Sequence, residues 1–169
     1  MKTVVVTGGG GFIGSNLCRK LLAMGHVVIC LDNFLTSEKQ NITDIVNNRN
    51  FRLIEGDTRN ATVNDFSRYG KIEEIYDLAS PASVTYIMDH PIDVAAINSH
   101  GTNNMLDIAL ELKARFLFAS SSEVYGDPKE HPQKESYWGN VNPIGVRSGY
   151  DEGKRFGEAL SFGYYREHK

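Results

Sequence analysis

The sequence has only two cysteines, Cys18 and Cys30, in 169 residues, which excludes a disulfide scaffold. A chain of this length buries about 70% of its unfolded surface, so it holds a core without a staple. Both cysteines stand among apolar neighbours, where free cysteines behave as small reduced core residues. Long apolar runs are also missing. The stretch Val27-Val28-Ile29-Cys30-Leu31 falls far short of the ~20 residues a membrane helix requires. Lys2 meets Gly8-Gly9-Gly10-Gly11 before any signal-peptide apolar region develops, so the expected compartment is the cytoplasm. The Asn-x-Thr triplets at Asn41 and Asn60 are then chance matches, because glycosylation needs the secretory route. A basic excess is absent as well: 18 Lys and Arg against 21 Asp and Glu give a net charge of −3. That balance argues against nucleic acid as a partner, as the short apolar runs argue against a membrane. The histidines His26, His90, His100, His131 and His168 are scattered, so no metal is expected.

What is present is an alternation of short apolar runs and helical patterns. Residues 1–7 read as a Val-rich strand ended by glycines, and residues 14–25 as a helix with Leu17, Leu21 and Leu22 at helical spacing and Gly25 as its C-cap. Strands follow at 26–31, 51–55, 74–79 and 115–119. Between them lie a weak helix at 37–48, a short one at 64–69 and a longer one at 93–112. Five strands alternating with helices predict one α/β domain over residues 1–169, a doubly wound parallel sheet covered on both faces. Residues 123–148 form a long loop rich in Gly, Pro and Asn, and 150–168 a last helix. Doubly wound dinucleotide folds often carry six strands. The sequence is therefore expected to lack a continuation that holds the substrate-binding part.

Chemistry concentrates in three segments. Gly8-x-x-Gly11-x-x-Gly14 lies between a predicted strand and a predicted helix. Glycines there allow a tight turn and close backbone approach to a pyrophosphate, whose charge faces the helix N-terminus. Asp32 closes the second strand, where an acid accepts from ribose hydroxyls and repels a 2′-phosphate, so NAD is preferred to NADP. Tyr150-Asp151-Glu152-Gly153-Lys154 puts Tyr150 and Lys154 on one helix face. An ammonium beside a phenol favours the phenolate, so the pair can exchange a proton with a substrate hydroxyl near neutral pH. Ser120-Ser121-Ser122-Glu123 follows the fifth strand, at the sheet end where ligands of open α/β folds bind.

Together these segments resemble the extended branch of the short-chain dehydrogenase/reductase superfamily, and within it the sugar-nucleotide epimerase/dehydratase family with its Rossmann fold. The stretch from Ser121-Ser122-Glu123-Val124-Tyr125-Gly126-Asp127-Pro128 through Asn142-Pro143-Ile144-Gly145 to Tyr150-Asp151-Glu152-Gly153-Lys154-Arg155 resembles its UDP-glucuronate decarboxylase branch. The resemblance implies an NAD-dependent enzyme acting on a nucleotide sugar, with a UDP-sugar favoured. It assigns Tyr150 to proton transfer, Lys154 to supporting Tyr150 and binding ribose, and Ser121, Ser122 and Glu123 to the reacting sugar carbons. For the cofactor it implies Gly8, Gly11, Phe12, Ile13 and Gly14 at the pyrophosphate, and Asp32, Asn33 and Phe34 with Thr36 and Ser37 at the adenosine ribose. Asp57 and Thr58 fall near adenine, and Leu78, Ala79 and Ser80 along the nicotinamide side. Asn98 is placed near the cofactor and Asn104 near the sugar nucleotide.

Three departures from that branch stand out: Ala96-Ile97 replace a usual Lys-Thr, Ser37 a usual Gly, and Asp77 a usual His. The implied reaction oxidises the sugar at C4, which places the C5 carboxylate β to a ketone and lets CO2 leave. Epimerisation at C4 and 4,6-dehydration are the alternatives within the family, and a non-catalytic NAD-binding module is the alternative outside enzymology. The two long helices also resemble those of the family's dimer interface, so a homodimer is expected.

Overall fold

Val4, Val5 and Val6 are all fully buried, which successive strand residues achieve only when both faces of their sheet are covered. The computed structural model describes residues 1–168. In it this strand is β1 (Thr3–Thr7), the middle of a five-stranded sheet ordered β3-β2-β1-β4-β5. The others are β2 (Val27–Asp32), β3 (Phe51–Glu55), β4 (Ile72–Asp77) and β5 (Arg115–Phe118), and every pairing is parallel. Val4, Val6, Val28 and Cys30 point to one face and join Cys18 and Leu21 of α1 (Phe12–Ala23). Val5, Ile29, Leu31 and Ile75 point to the other. There they meet Phe66 of α2 (Val63–Ser67) and Met105 and Ile108 of α5 (Thr102–Leu112). The expected doubly wound parallel sheet is thus the architecture.

The sheet order reverses between β1 and β4, so the chain leaves their C-terminal ends in opposite directions and opens a crevice between the outgoing loops. Helix α6 (Ser148–His168) walls that crevice through Tyr150 and Lys154, while α3 (Val84–Asp89) and α4 (Pro91–Ala96) start beyond Ser83, which also lines it. Three helices differ from the sequence reading. The weak helix at 37–48 is a single 3-10 turn over Lys39–Ile42. Its backbone is pinned by side chains instead: Arg19 Nη2 donates to the Asn41 carbonyl (2.6 Å) and Asn41 Nδ2 to the Gly10 carbonyl (2.9 Å). The long helix at 93–112 is α4 and α5 joined by one π turn, Ile97–Gly101. The packing there is close, since a Cβ on Gly101 would lie 2.5 Å from Thr58 Oγ1, and a π turn is a local way to refit a helix to its neighbour. Helix α3 lies in a stretch with no predicted helix, and the Ser83 hydroxyl caps it by accepting from Tyr86 N.

The loop at 123–148 carries one 3-10 turn, Ser122–Tyr125, and one bridge, Gly126 to Asn140. Arg155 Nη1 of α6 donates to the Val124 and Trp138 carbonyls (2.8 and 3.0 Å) and ties the loop to that helix. Among the described residues no helix is long and apolar enough to cross a membrane, and Cys18 and Cys30 are buried free thiols.

Candidate functional site

The crevice is a cleft of about 620 Å³, within the range of small-molecule sites. Its floor is the turn from β1 to α1. Gly8 has φ +65°, a left-handed conformation that favours glycine. A Cβ on Gly14 would overlap the Gly8 carbonyl oxygen and reach within 2.7 Å of Gly9 Cα. The N-cap of α1 is Gly11, which offers no side chain to the first-turn amides. Those N–H groups at Phe12 and Ile13 open on the cleft and carry the positive end of the helix dipole, a geometry suited to a diphosphate.

Asp32 ends β2 beside this turn and is 7% exposed. Its Oδ2 accepts from Gly10 N (2.8 Å), and its Oδ1 accepts from Phe34 N (2.8 Å) and Ser37 Oγ (3.0 Å). The carboxylate therefore shapes the glycine turn and still lines the cleft, with acceptor capacity left for a ribose hydroxyl. Asn33, Thr36, Ser37, Asp57 and Thr58 continue this wall. Asp57 is held by Arg59 through Nε and Nη2 (2.9 and 2.6 Å), and that guanidinium keeps its carboxyl below the usual range. Leu78, Ala79 and Ser80 line the opposite side.

Tyr150 and Lys154 enter from α6 and both border the cleft. Lys154 is 3% exposed; its Nζ donates to the Ala119 carbonyl (2.8 Å) and stands over the Phe118 ring. Burial lowers its pKa to about 8, and the charge of Asp77 opposes that fall. The sign follows from linkage: between about pH 8 and the ordinary 10.5, an unfolded chain protonates Lys154 and the folded chain does not. Stability gained from this residue accordingly rises with pH across that window. Calorimetric unfolding near pH 9 is expected to take up close to one more proton in the parent chain than in Lys154→Gln. Equal uptake in the two chains would assign the effect elsewhere.

Six of the expected residues do not line this cleft. Phe34 packs its ring against the outside of the glycine turn. Asn98, in the π turn, lies just behind the wall: its Oδ1 accepts from Ser80 Oγ (2.7 Å), and its Nδ2 is buried without a partner. Ser121 caps the following 3-10 turn by accepting from Glu123 N (3.3 Å). Ser122 and Glu123 lie in that turn, and Glu123 pairs with Arg147 (2.8 Å). Beside them burial and the Glu123 charge raise the Asp151 carboxyl to about 6. Asn104 stands furthest from the expectation. Its Nδ2 donates to the Thr58 and Ala61 carbonyls (2.7 and 2.9 Å), so it braces the wall from behind.

Sequence reading passed over several contributors. Thr7 is buried, and its hydroxyl joins Asp77 to the Leu78 and Ala79 amides. Ser120 lines the cleft. Arg59 also reaches Asp93 (2.6 Å), linking the Asp57 wall to α4. Only Ser120 carried a signal, its place next to Ser121; the others depend on distant partners.

A family model described as GDP-mannose 4,6 dehydratase matches residues 5–169. UDP-glucuronic acid decarboxylase 4 of Arabidopsis thaliana is 50% identical over 163 residues, 96% of this chain and 35% of that protein. UDP-glucuronic acid decarboxylase 1 of Danio rerio is 46% identical over 166 residues, 98% of this chain and 38% of that protein. The solved UDP-glucose 4-epimerase of Thermotoga maritima aligns with a TM-score of 0.85 at 27% identity, covering 98% of this chain and 52% of that one. The chain thus spans a little over a third of the length of these two curated relatives.

Proposed function

The chain belongs to the GDP-mannose 4,6 dehydratase family, and from that premise we propose that it is the NAD-binding and proton-transfer part of a nucleotide-sugar enzyme, decarboxylating UDP-glucuronate through a 4-keto sugar. The observation that carries this reading is one cleft bordered at once by the Gly8–Gly14 turn, Asp32, Tyr150 and Lys154. The residues fit the cofactor: the uncapped first turn of α1 suits the pyrophosphate, and Asp32 suits the adenosine ribose diol. When bound, NAD supplies a hydride acceptor for the sugar C4. Tyr150 accepts the C4 hydroxyl proton as that carbon becomes a ketone, which leaves the C5 carboxylate β to a carbonyl and lets CO2 depart. Lys154 holds positive charge beside the phenolate. Ser121, Ser122 and Glu123, which lie outside the cleft lining, are given to the reacting sugar carbons by the resemblance alone.

One observation favours C4 epimerisation as the second reading. Glu123 is engaged by Arg147, and an epimerase needs only the Ser, Tyr and Lys set. Mass spectrometry of the protein with NAD and a panel of UDP-glucuronate, UDP-glucose and dTDP-glucose separates the readings. Loss of CO2 from UDP-glucuronate supports the first, isomerised UDP-glucose replaces it by the second, and loss of water from dTDP-glucose points to 4,6-dehydration. No change in any sugar leaves a binding module.

The proposal includes a cytoplasmic homodimer joined through α4, α5 and α6. Support comes from Ile92, Phe156, Phe162 and Tyr165, large apolar side chains exposed on two of these helices. The preference for NAD over NADP is tested at Asp32. Its carboxylate repels a 2′-phosphate, so Asp32→Asn is expected to narrow the ratio of the two affinities by about tenfold or more, read by calorimetric titration. An unchanged ratio would move the discrimination to another residue.

A further inference from the structure

Among the described residues, the charged side chains that are buried are Asp32, Asp77 and Lys154. Asp32 is accounted for by the glycine turn and Lys154 by its pairing with Tyr150. Asp77 is the last residue of β4 and belongs to neither motif. A buried carboxylate costs free energy unless hydrogen bonds or an opposite charge compensate it. In the sheet register Asp77 lies beside Thr7 on one side and Phe118 on the other, between the strand leading into the glycine turn and the strand leading to Ala119.

Hydrogen bonds fix the direction of the Thr7 hydroxyl beside this carboxyl. Thr7 Oγ1 accepts from Leu78 N (3.1 Å) and Ala79 N (3.0 Å). Both its lone pairs are then in use, so its own proton is directed at Asp77 Oδ1, 2.6 Å away. Burial raises the Asp77 carboxyl, and the Thr7 hydroxyl, the charge of Lys154 and the Thr102 hydroxyl of α5 oppose that rise. On the β5 side Ala119 N donates to the Asp77 carbonyl (3.0 Å), and the Ala119 carbonyl receives Lys154 Nζ (2.8 Å). Lys154 Nζ stands 4.8 Å from the Phe118 ring, and Phe118 is the neighbour of Asp77 in the sheet register, so the two buried charges, Asp77 from β4 and Lys154 from α6, lie at the same end of the β4–β5 pair.

We propose that Asp77 is a positioning residue for Lys154: its carboxylate is the buried counter-charge that keeps the ammonium charged and seated on the Ala119 carbonyl beside Tyr150. The proposal rests on the proton-transfer role of Tyr150 and Lys154 given above for its bearing on turnover, but its electrostatic content stands without it. Burial pushes Lys154 toward its neutral form, and Asp77 pushes it back. Removing the carboxylate leaves burial unopposed, so the ammonium loses its proton more readily. The alkaline limb of turnover then moves to lower pH, a change that loose packing alone would not produce.

The test is an NMR titration of the intact protein labelled with 13C at lysine Cε and aspartate Cγ, with the Lys154 signal assigned by its loss in Lys154→Gln. In Asp77→Asn the acid dissociation constant of Lys154 is expected to rise about tenfold, while the other lysines stay in place. An unmoved Lys154 would overturn the proposal. The parent protein supplies a second reading that needs no folded variant. Its Asp77 carboxyl carbon is expected to report an ionised group at pH 7, and a protonated carboxyl there would overturn the proposal equally. Neither reading requires cofactor or sugar. A shifted Lys154 in a protein without turnover would contradict the enzymatic reading alone, and turnover with an unmoved Lys154 would contradict the role of Asp77 alone.

Discussion

Tyr150→Phe is expected to lower turnover of the nucleotide sugar about a thousandfold, the order that a positioned proton-transfer group contributes, while NAD affinity stays within about twofold. Phenylalanine keeps the ring that borders the cleft and removes only the hydroxyl. The glycine turn, Asp32 and the Lys154 bond to Ala119 lie on other atoms, so the cofactor site is left intact. The loss therefore falls on kcat and spares binding. Steady-state kinetics with calorimetric titration of NAD checks both halves. A variant that retains turnover within tenfold of the parent would remove Tyr150 from the proton transfer, and one that loses NAD as well would make it a structural residue of the cleft.

Gly14→Ala is the second large effect, and it acts through the fold. The added methyl has nowhere to go: its space is held by the Gly8 carbonyl and by Gly9 Cα at 2.7 Å, both backbone atoms, and backbone cannot swing aside as a flexible side chain does. Overpacking of a tight site costs about 1–3 kcal/mol and sometimes more. Here relief requires α1 to move away from β1 or the turn to open. Opening it breaks the bond from Gly10 N to Asp32 and that from Asn41 to the Gly10 carbonyl. A loss of about 3 kcal/mol in denaturant unfolding is expected, with NAD binding weakened at least a hundredfold, about 2.7 kcal/mol. Parent-like stability and affinity would show that the turn is looser than its packing indicates.

The strands were legible in the sequence because each is a short apolar run stopped by glycine or by polar residues, as Val4-Val5-Val6 is by Gly8. Their both-sided burial follows from that composition. The glycine turn, Asp32 and the Tyr150 and Lys154 pair were legible because their spacing in sequence equals their spacing on local elements. Other parts were not. The segment at 37–48 has helical apolar spacing through Ile42 and Ile45, yet Arg19 and Asn41 hold it in place with bonds to its backbone and to Gly10. Those partners are distant in sequence, so no local pattern announces them. Asn104 was placed near the sugar nucleotide by the resemblance alone, but two carbonyls take both its amide protons. Asp77 was visible only as a departure from a usual His, and its electrostatic consequence appeared once β4 and α6 were brought together. Glu123 reads as a free acid in sequence, and its ion pair to Arg147 depends on how a loop of Gly, Pro and Asn folds back.

The proposed decarboxylation requires that the sugar be oxidised at C4 before CO2 leaves it, with Tyr150 taking the hydroxyl proton. UDP-glucuronate deuterated at C4, incubated with the protein and NAD, tests this most directly. The account predicts a nucleotide sugar lighter by one CO2, with the deuterium either back at C4 or carried on the cofactor, and a solvent hydrogen at C5. Intact UDP-glucuronate in the presence of bound NAD, or a decarboxylated product whose C4 deuterium has exchanged into water, would contradict it.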